Sequence, residues 1–115
     1  MKSTVETGSE AEARAVSLLV RKGYRIVERN FRCKAGELDV VARDGDVLVF
    51  VEVRSRGDDE HGRAEEAVGP KKQRQVARIA MFYIGLRDPQ FSKSRFDVVA
   101  ITGDDEVLIQ DAWRL

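Results

Sequence analysis

The chain has 115 residues, of which 43% are hydrophobic and 35% charged, and its 20 basic and 20 acidic side chains give no formal net charge at pH 7. This length fits one domain over residues 1–115, and the composition fits a soluble globular protein. No apolar run is long enough to span a bilayer, the polar N-terminus lacks the centre of a secretory signal, and Cys33 has no second cysteine to pair with. We therefore expect a cytoplasmic protein without membrane contact.

Hydrophobic spacing and turn signals predict the element order αβββαββ. The first helix is expected from about Ser9, as its N-cap, to Lys22, and Pro70 suits the first turn of a second helix that ends near Leu86. A polar loop at 56–69 precedes that second helix. The strands are expected at 24–31, 37–43, 47–55, 96–101 and 107–112. The core-facing helix residues are expected to be Ala11, Ala15, Leu18, Leu19, Val76, Ile79, Ala80 and Tyr83.

The second and third strands form a predicted β-hairpin around the turn signal Asp44-Gly45-Asp46. If residues 44 and 45 make the turn, Glu37 lies opposite Glu52; if residues 44–47 make it, Asp39 lies opposite Glu52. Side chains alternate across a strand, so both registers place one group on a single face. That group is Glu37, Asp39, Glu52 and Arg54.

Carboxylates on a shared, partly apolar face require a cation. Like charges directly opposite destabilise a sheet, and a buried ionised carboxylate costs several kcal/mol unless it is paired or bound to metal. A hard divalent ion such as Mg²⁺ takes oxygen ligands of this kind. The alternative is a solvent-facing ladder of charges in which Arg54 offsets the acids.

Charge is segregated along the chain although its sum is zero. Basic residues dominate 21–34 and 69–78, whereas acids gather at 58–66 and 104–111. On the second helix a basic and polar stripe follows the helical repeat, at Lys71, Arg74, Gln75 and Arg78. Such a pattern permits a basic rim around an acidic site, and ordinary solvated faces are the alternative.

Short motifs spread over nearly the whole chain closely resemble, in the same order, those of the YraN-like protein family, a small bacterial group related to nucleases. The central motifs are Gly-Glu-Leu-Asp at 36–39, Phe-Val-Glu-Val-Arg at 50–54 and Arg56. The other matching segments are 8–13, 23–26, 29–32, 67–68, 71–72 and 95–99.

The YraN-like family is in turn similar to the PD-(D/E)xK nucleases, which include archaeal Holliday-junction resolvases. The resemblance implies an α/β fold of the restriction-endonuclease type, with a mixed five-stranded sheet flanked by helices. It also implies that Asp39 and Glu52 are catalytic metal ligands, that Glu10 on the first helix joins them, and that Arg54 stands where a catalytic Lys is expected. Arginine stays protonated and cannot act as a base, so this change bears on turnover more than on binding.

We therefore expect a metal-dependent endonuclease that uses Mg²⁺ or Mn²⁺ to hydrolyse branched or structured DNA. The residues expected to contact the DNA backbone are Lys71, Lys72, Arg74 and Arg56. One alternative is a noncatalytic nucleic-acid-binding module on the same fold, and another is a protein-interaction adaptor whose carboxylates pair with Arg54 and Arg56. A homodimer is one option for the assembly.

Overall fold

The computed structural model describes residues 8–56 and 68–114, without the side chain of Arg56. The predicted order αβββαββ is confirmed. The helices are α1 (Gly8–Arg21) and α2 (Pro70–Arg87), and the strands are β1 (Arg25–Cys33), β2 (Gly36–Asp44), β3 (Val47–Arg56), β4 (Lys93–Thr102) and β5 (Asp105–Trp113). All five strands end later than expected because pairing continues into the polar flanks, and β1 begins one residue later than expected. Ser9 lies inside the first turn of α1, so its prediction as the N-cap is wrong.

One mixed sheet contains all five strands in the order β1-β2-β3-β4-β5. Neighbouring strands run antiparallel except β3 and β4, which are parallel and connected through α2. The sequence of β3 explains its central place, since residues 48–51 of its uninterrupted apolar run are buried and alternate between the two faces. Neither described helix is long and apolar enough to cross a membrane.

The two helices cover opposite faces of the sheet. The predicted apolar stripe of α1 packs on the face that carries Val49 and Val51. The predicted core residues of α2 pack on the face that carries Leu48 and Phe50, where Tyr83 meets the ring of Phe50 edge-on at 5.9 Å between centroids. Both predicted helix faces are therefore confirmed, and the sheet lies between two helical layers.

The hairpin of β2 and β3 follows the second of the two expected registers, although the pair Asp44–Val47 leaves only residues 45 and 46 for the turn instead of 44–47. Arg43 pairs with Leu48, Asp44 pairs with Val47, and Gly45 in the turn takes the positive φ of 60°. Such a φ favours glycine because it has no Cβ.

The ladder between β2 and β3 ends at the pair Val40–Val51. Beyond that pair β2 stays hydrogen-bonded to β1, whereas β3 stays with β4. The sheet therefore opens between β2 and β3, and we call this opening the split. Asp39 and Glu52 are the first residues past the last pair, one on each strand.

A buried polar network fastens the α1 side of the sheet. Asp97 is fully buried and accepts hydrogen bonds from the Tyr24 hydroxyl at 2.5 Å and from Arg95 Nε at 2.9 Å. Arg95 also donates to Asp44, and the backbone N–H of Asp111 donates to Asp97. The pKa of Tyr24 is raised to about 12, with burial as the largest cause and the hydrogen bond to Asp97 as the second. The network connects the residue that precedes β1 with β2, β4 and β5, and its partners explain how a carboxylate is tolerated there.

Candidate metal and nucleic-acid site

Asp39 joins the two sides of the split through its side chain. Its Oδ2 accepts a hydrogen bond of 2.8 Å from the backbone N–H of Val53. That N–H lies past the end of the ladder, where β2 no longer offers a backbone carbonyl to it. The bond fixes the orientation of the carboxylate and leaves its other oxygen available for a ligand.

Glu52 lies on the other side of the split and is buried, at 3% exposure. The Nζ of Lys72 on α2 forms an ion pair with Oε2 at 3.8 Å, whereas Oε1 is buried and has no hydrogen-bond partner among the described residues. The solvent-facing alternative is therefore wrong for Glu52. A buried carboxylate oxygen without a partner is costly, and it indicates a place for a cation or a water molecule.

Two further carboxylates approach Asp39 from the α1 side. One oxygen each of Glu12, Glu37 and Asp39 can be grouped within 4.8 Å of one another, a spacing that could hold a metal ion. Glu37 thus lies near Glu12 of α1, whereas Glu52 pairs with Lys72 of α2 on the opposite face of the sheet. The prediction that all the hairpin acids share one face is therefore wrong for Glu37.

The reason for this departure is an interruption in strand alternation at Asp39. Leu38 packs with the α2 layer and Val40 packs with the α1 layer, although residues two apart share a face in a regular strand. The interruption coincides with the end of the ladder at Val40, where β2 turns away from β3.

Asn30 bridges the two outer carboxylates. With its amide oriented to suit the surrounding acceptors, its nitrogen lies 2.9 and 3.0 Å from the two oxygens of Glu12 and 3.0 Å from Glu37. Asn30 has a φ of 55°, a left-handed conformation that asparagine tolerates better than most residues. This backbone bend in β1 brings a neutral donor to a cluster of acids.

Both central carboxylates have raised pKa values. Burial is the largest cause for Glu52, whose pKa rises to about 7, and the charge of Asp39 raises it further while Lys72 and Arg54 oppose the rise. Burial is also the largest cause for Asp39, whose pKa rises to about 6 although the Val53 N–H favours its charged form. Near neutral pH the pair therefore holds repelling charge that a divalent cation would stabilise.

The other predicted site residues are distributed around this centre. Glu10 is exposed on the first turn of α1 and lies outside the grouped carboxylates, so its role as a ligand stays a prediction. Arg54 is half-buried, and its Nε has no hydrogen-bond partner among the described residues. Lys71 and Arg74 are exposed on α2. The side chain of Arg56 lies outside the described residues, and its predicted contact with DNA stays a prediction.

Sequence reasoning missed Glu12 and Asn30 as members of the site. A signal for Glu12 was present, because it precedes Ala15 by three residues and Leu19 by seven, which places it beside the buried stripe of α1. An acid at the edge of an apolar stripe is a candidate for a buried role. No comparable signal marks Asn30, because its place depends on a local bend in β1.

The chemistry available at the split is that of a cation site next to a cationic helix. Carboxylates from β2, β3 and α1 supply hard oxygen ligands, which suit Mg²⁺ and Mn²⁺. Lys72 and Arg54 supply positive charge beside them, which suits an anion such as phosphate.

Comparison with known proteins places the chain among a set of bacterial relatives. The model of the uncharacterised protein family UPF0102 matches residues 11–101. A UPF0102 protein of Syntrophus aciditrophicus is 44% identical over 119 residues, covering 100% of this chain and 94% of the relative. Others from Persephonella marina and Pelobacter propionicus are 42% and 50% identical over 108 and 101 residues, covering 94% and 86% of this chain and 93% and 72% of the relatives. These matches confirm the YraN-like family resemblance.

Proposed function

The chain belongs to the uncharacterised protein family UPF0102, and from the geometry of the split we propose that it is a metal-dependent nuclease acting on branched or structured DNA. The observation that carries this proposal is the pair of a buried Glu52 and a partly buried Asp39 beside a cationic helix, with one oxygen of Glu52 lacking a hydrogen-bond partner among the described residues. Structural ion pairs are normally satisfied, whereas functional carboxylates often have raised pKa values and incomplete partners.

The residues present fit a divalent ion. Asp39 and Glu52 are its proposed ligands, and the oxygens of Glu12 and Glu37, which group with an oxygen of Asp39 and not with Glu52, are further candidate ligands. Asn30 holds Glu12 and Glu37 by hydrogen bonds and adds no charge. A bound Mg²⁺ or Mn²⁺ supplies Lewis acidity toward a phosphate oxygen and lowers the pKa of an attacking water.

The protein's own contribution is orientation and charge. The Val53 N–H keeps the Asp39 carboxylate turned toward the split, and the surrounding core buries Glu52. In the proposed hydrolysis a water oxygen forms a bond to phosphorus while the bond from phosphorus to a sugar oxygen breaks. The water gives up a proton to solvent, and the departing sugar oxygen takes one up. Arg54 stabilises the charge that develops on the phosphate.

The proposed DNA surface is the exposed side of α2 near the split. Lys71 and Arg74 are exposed there and lie on the helix that delivers Lys72 to the site. Contacts from such residues to phosphates would position DNA without reading its sequence. A protein without net charge can bind DNA in this manner because its basic residues are gathered locally.

The test is cleavage of a four-way DNA junction, a nicked duplex and a single strand in Mg²⁺ or Mn²⁺. We expect the wild type to cleave, and we expect Asp39→Asn and Glu52→Gln to abolish cleavage and calorimetric Mn²⁺ binding. Glu106→Gln is the matched control, since Glu106 is an ion-paired acid of β5 bound to Arg14 and Arg21, outside the proposed site. Mn²⁺ binding that is equal in wild type and in both acid variants would refute the proposed metal site.

A noncatalytic nucleic-acid-binding module is the second candidate, and Arg54 is the residue that favours it. Its guanidinium can clamp phosphate but cannot accept a proton from water. Metal and DNA binding without cleavage by any variant would support this candidate. If the wild type binds neither metal nor DNA, that result would instead support the protein-interaction adaptor.

A further inference from the structure

We propose that Lys72 is an internal counter-ion of Glu52 that a bound metal ion displaces, and that the displaced ammonium then contacts the phosphate held at the split. This inference rests on the proposed metal site and adds a role for a residue of α2. It separates Lys72 from the neighbouring basic residues, which the sequence grouped together as contacts to the DNA backbone.

The exposure of the three basic residues on the first turns of α2 supports a role for Lys72 that differs from that of its neighbours. Lys71 and Arg74 are exposed, whereas the Lys72 side chain is 29% exposed and reaches into the split. Its Nζ lies 3.8 Å from Oε2 of Glu52. Its charge also lowers the pKa of both Glu52 and Asp39, against the effect of burial. Lys72 therefore acts on the acidic pair, whereas its two neighbours face solvent.

The position of Lys72 follows from how α2 is docked. Gln75 Nε2 donates a hydrogen bond of 3.1 Å to the carbonyl of Ala35, at the turn between β1 and β2. The adjacent Gly36 permits this contact, since a Cβ at Gly36 would lie 2.7 Å from Gln75 Nε2. Gln73 Nε2 further donates to the carbonyl of Val68, which ties the start of α2 to the chain before it. The first turns of α2 are thus fixed beside the split.

The ion pair itself is suited to exchange. A distance of 3.8 Å between Nζ and Oε2 is too long for a hydrogen bond, whereas strong charge-assisted bonds measure about 2.8 Å. Lys72 and Arg54 both place positive charge near Glu52, yet its Oε1 has no hydrogen-bond partner among the described residues. A divalent ion could bind that oxygen directly, which the ammonium at 3.8 Å from Oε2 does not do.

The displaced ammonium of Lys72 can move toward the exposed side of α2. The lysine stem is flexible and partly exposed, so Nζ can turn from Glu52 toward solvent without movement of α2. That direction leads to the exposed side of the helix, where Lys71 and Arg74 lie. A phosphate bound at the metal would meet the ammonium there, and the contact would form only after the metal has replaced it at Glu52.

The test combines metal affinity with turnover in variants of Lys72. Lys72→Met keeps the aliphatic stem and removes the charge, so we expect it to bind Mg²⁺ about three- to tenfold more tightly than wild type, because a competing cation is gone. Calorimetry at pH 8 without DNA measures this. We expect Lys72→Met to cleave junction DNA at saturating Mg²⁺ with a kcat at least tenfold below that of wild type. We expect Lys72→Arg to return both the Mg²⁺ affinity and kcat most of the way to their wild-type values.

Lys71→Met is the matched control, since it removes an equal charge one residue away on the exposed side of α2. We expect its Mg²⁺ affinity to stay within about twofold of wild type. Mg²⁺ binding that Glu52→Gln abolishes but that Lys72→Met leaves at wild-type affinity would overturn this inference and leave the proposed function intact. Mg²⁺ binding that Glu52→Gln leaves intact would instead refute the proposed metal site.

Discussion

The raised pKa of Glu52 makes the stability of the metal-free protein depend on pH in a direction that can be measured. The pKa rises from 4.5 to about 7 on folding, so ionisation of Glu52 opposes folding. A rise of this size corresponds to about 3 kcal/mol. This penalty is absent below the unfolded pKa, grows between pH 4.5 and 7, and is complete above the folded pKa.

Glu52→Gln removes the titration and should therefore change the pH dependence. We expect the stability difference between variant and wild type to shift by about 2–3 kcal/mol in favour of the variant from pH 4 to pH 8, because the glutamine stays neutral throughout. Urea unfolding in EDTA at several pH values measures the shift. The absolute difference at one pH is less informative, because the new amide also needs a hydrogen-bond partner.

Glu106→Gln is the control with the opposite sign. Hydrogen bonds from Arg14, followed by those from Arg21, lower the pKa of Glu106 and outweigh the opposing effect of burial. Its ionisation therefore stabilises the fold above the unfolded pKa, and this stabilisation is lost as the pH falls through the folded pKa. We expect the free energy of unfolding of Glu106→Gln to fall relative to that of wild type as the pH rises. A constant difference for Glu52→Gln from pH 4 to pH 8 would refute the reasoning.

Three further experiments test separate parts of the molecule. Asp97→Asn leaves Arg95 without its buried partner and should cost about 3–5 kcal/mol in urea unfolding; a change below about 1 kcal/mol would contradict the structural role of the network. Arg54→Lys should keep cleavage within about tenfold of wild type and Arg54→Ala should lower it about a hundredfold, whereas a large gain in Arg54→Lys would show that the site needs an ammonium at this position. Lys71→Ala with Arg74→Ala should reduce the log–log salt dependence of DNA binding by roughly one unit per lost contact, and an unchanged slope would place the DNA surface elsewhere.

Much of the fold could be predicted because local patterns determine it. The apolar run of β3, the glycine of the hairpin turn and the helical spacing of Val76, Ile79 and Tyr83 each require one kind of element. The pairing that brings Asp39 level with Glu52 was one of two expected registers, and the structure selects it through the pair Asp44–Val47.

The arrangement of the site could not be predicted in the same way because it depends on distant contacts. The split exists because β2 and β3 follow different neighbours beyond Val40, and no local pattern in the hairpin marks where a ladder ends. Lys72 faces Glu52 because Gln75 binds the carbonyl of Ala35, a contact between residues 40 positions apart. The sequence showed Lys71 and Lys72 as neighbours, but only the docking of α2 places Lys72 beside Glu52 and leaves Lys71 exposed.

The split also divides the sheet into two hydrogen-bonded ribbons. Past Val40 and Val51, β1 and β2 form one hydrogen-bonded ribbon and β3 to β5 form another, with the Asp39 carboxylate reaching across to Val53. Acids from the α1 side and an ammonium from the α2 side face the same opening, so any ligand there is a cross-link between ribbons and between helical layers. A ligand bound there would therefore restrict the separation of β2 from β3 at the split.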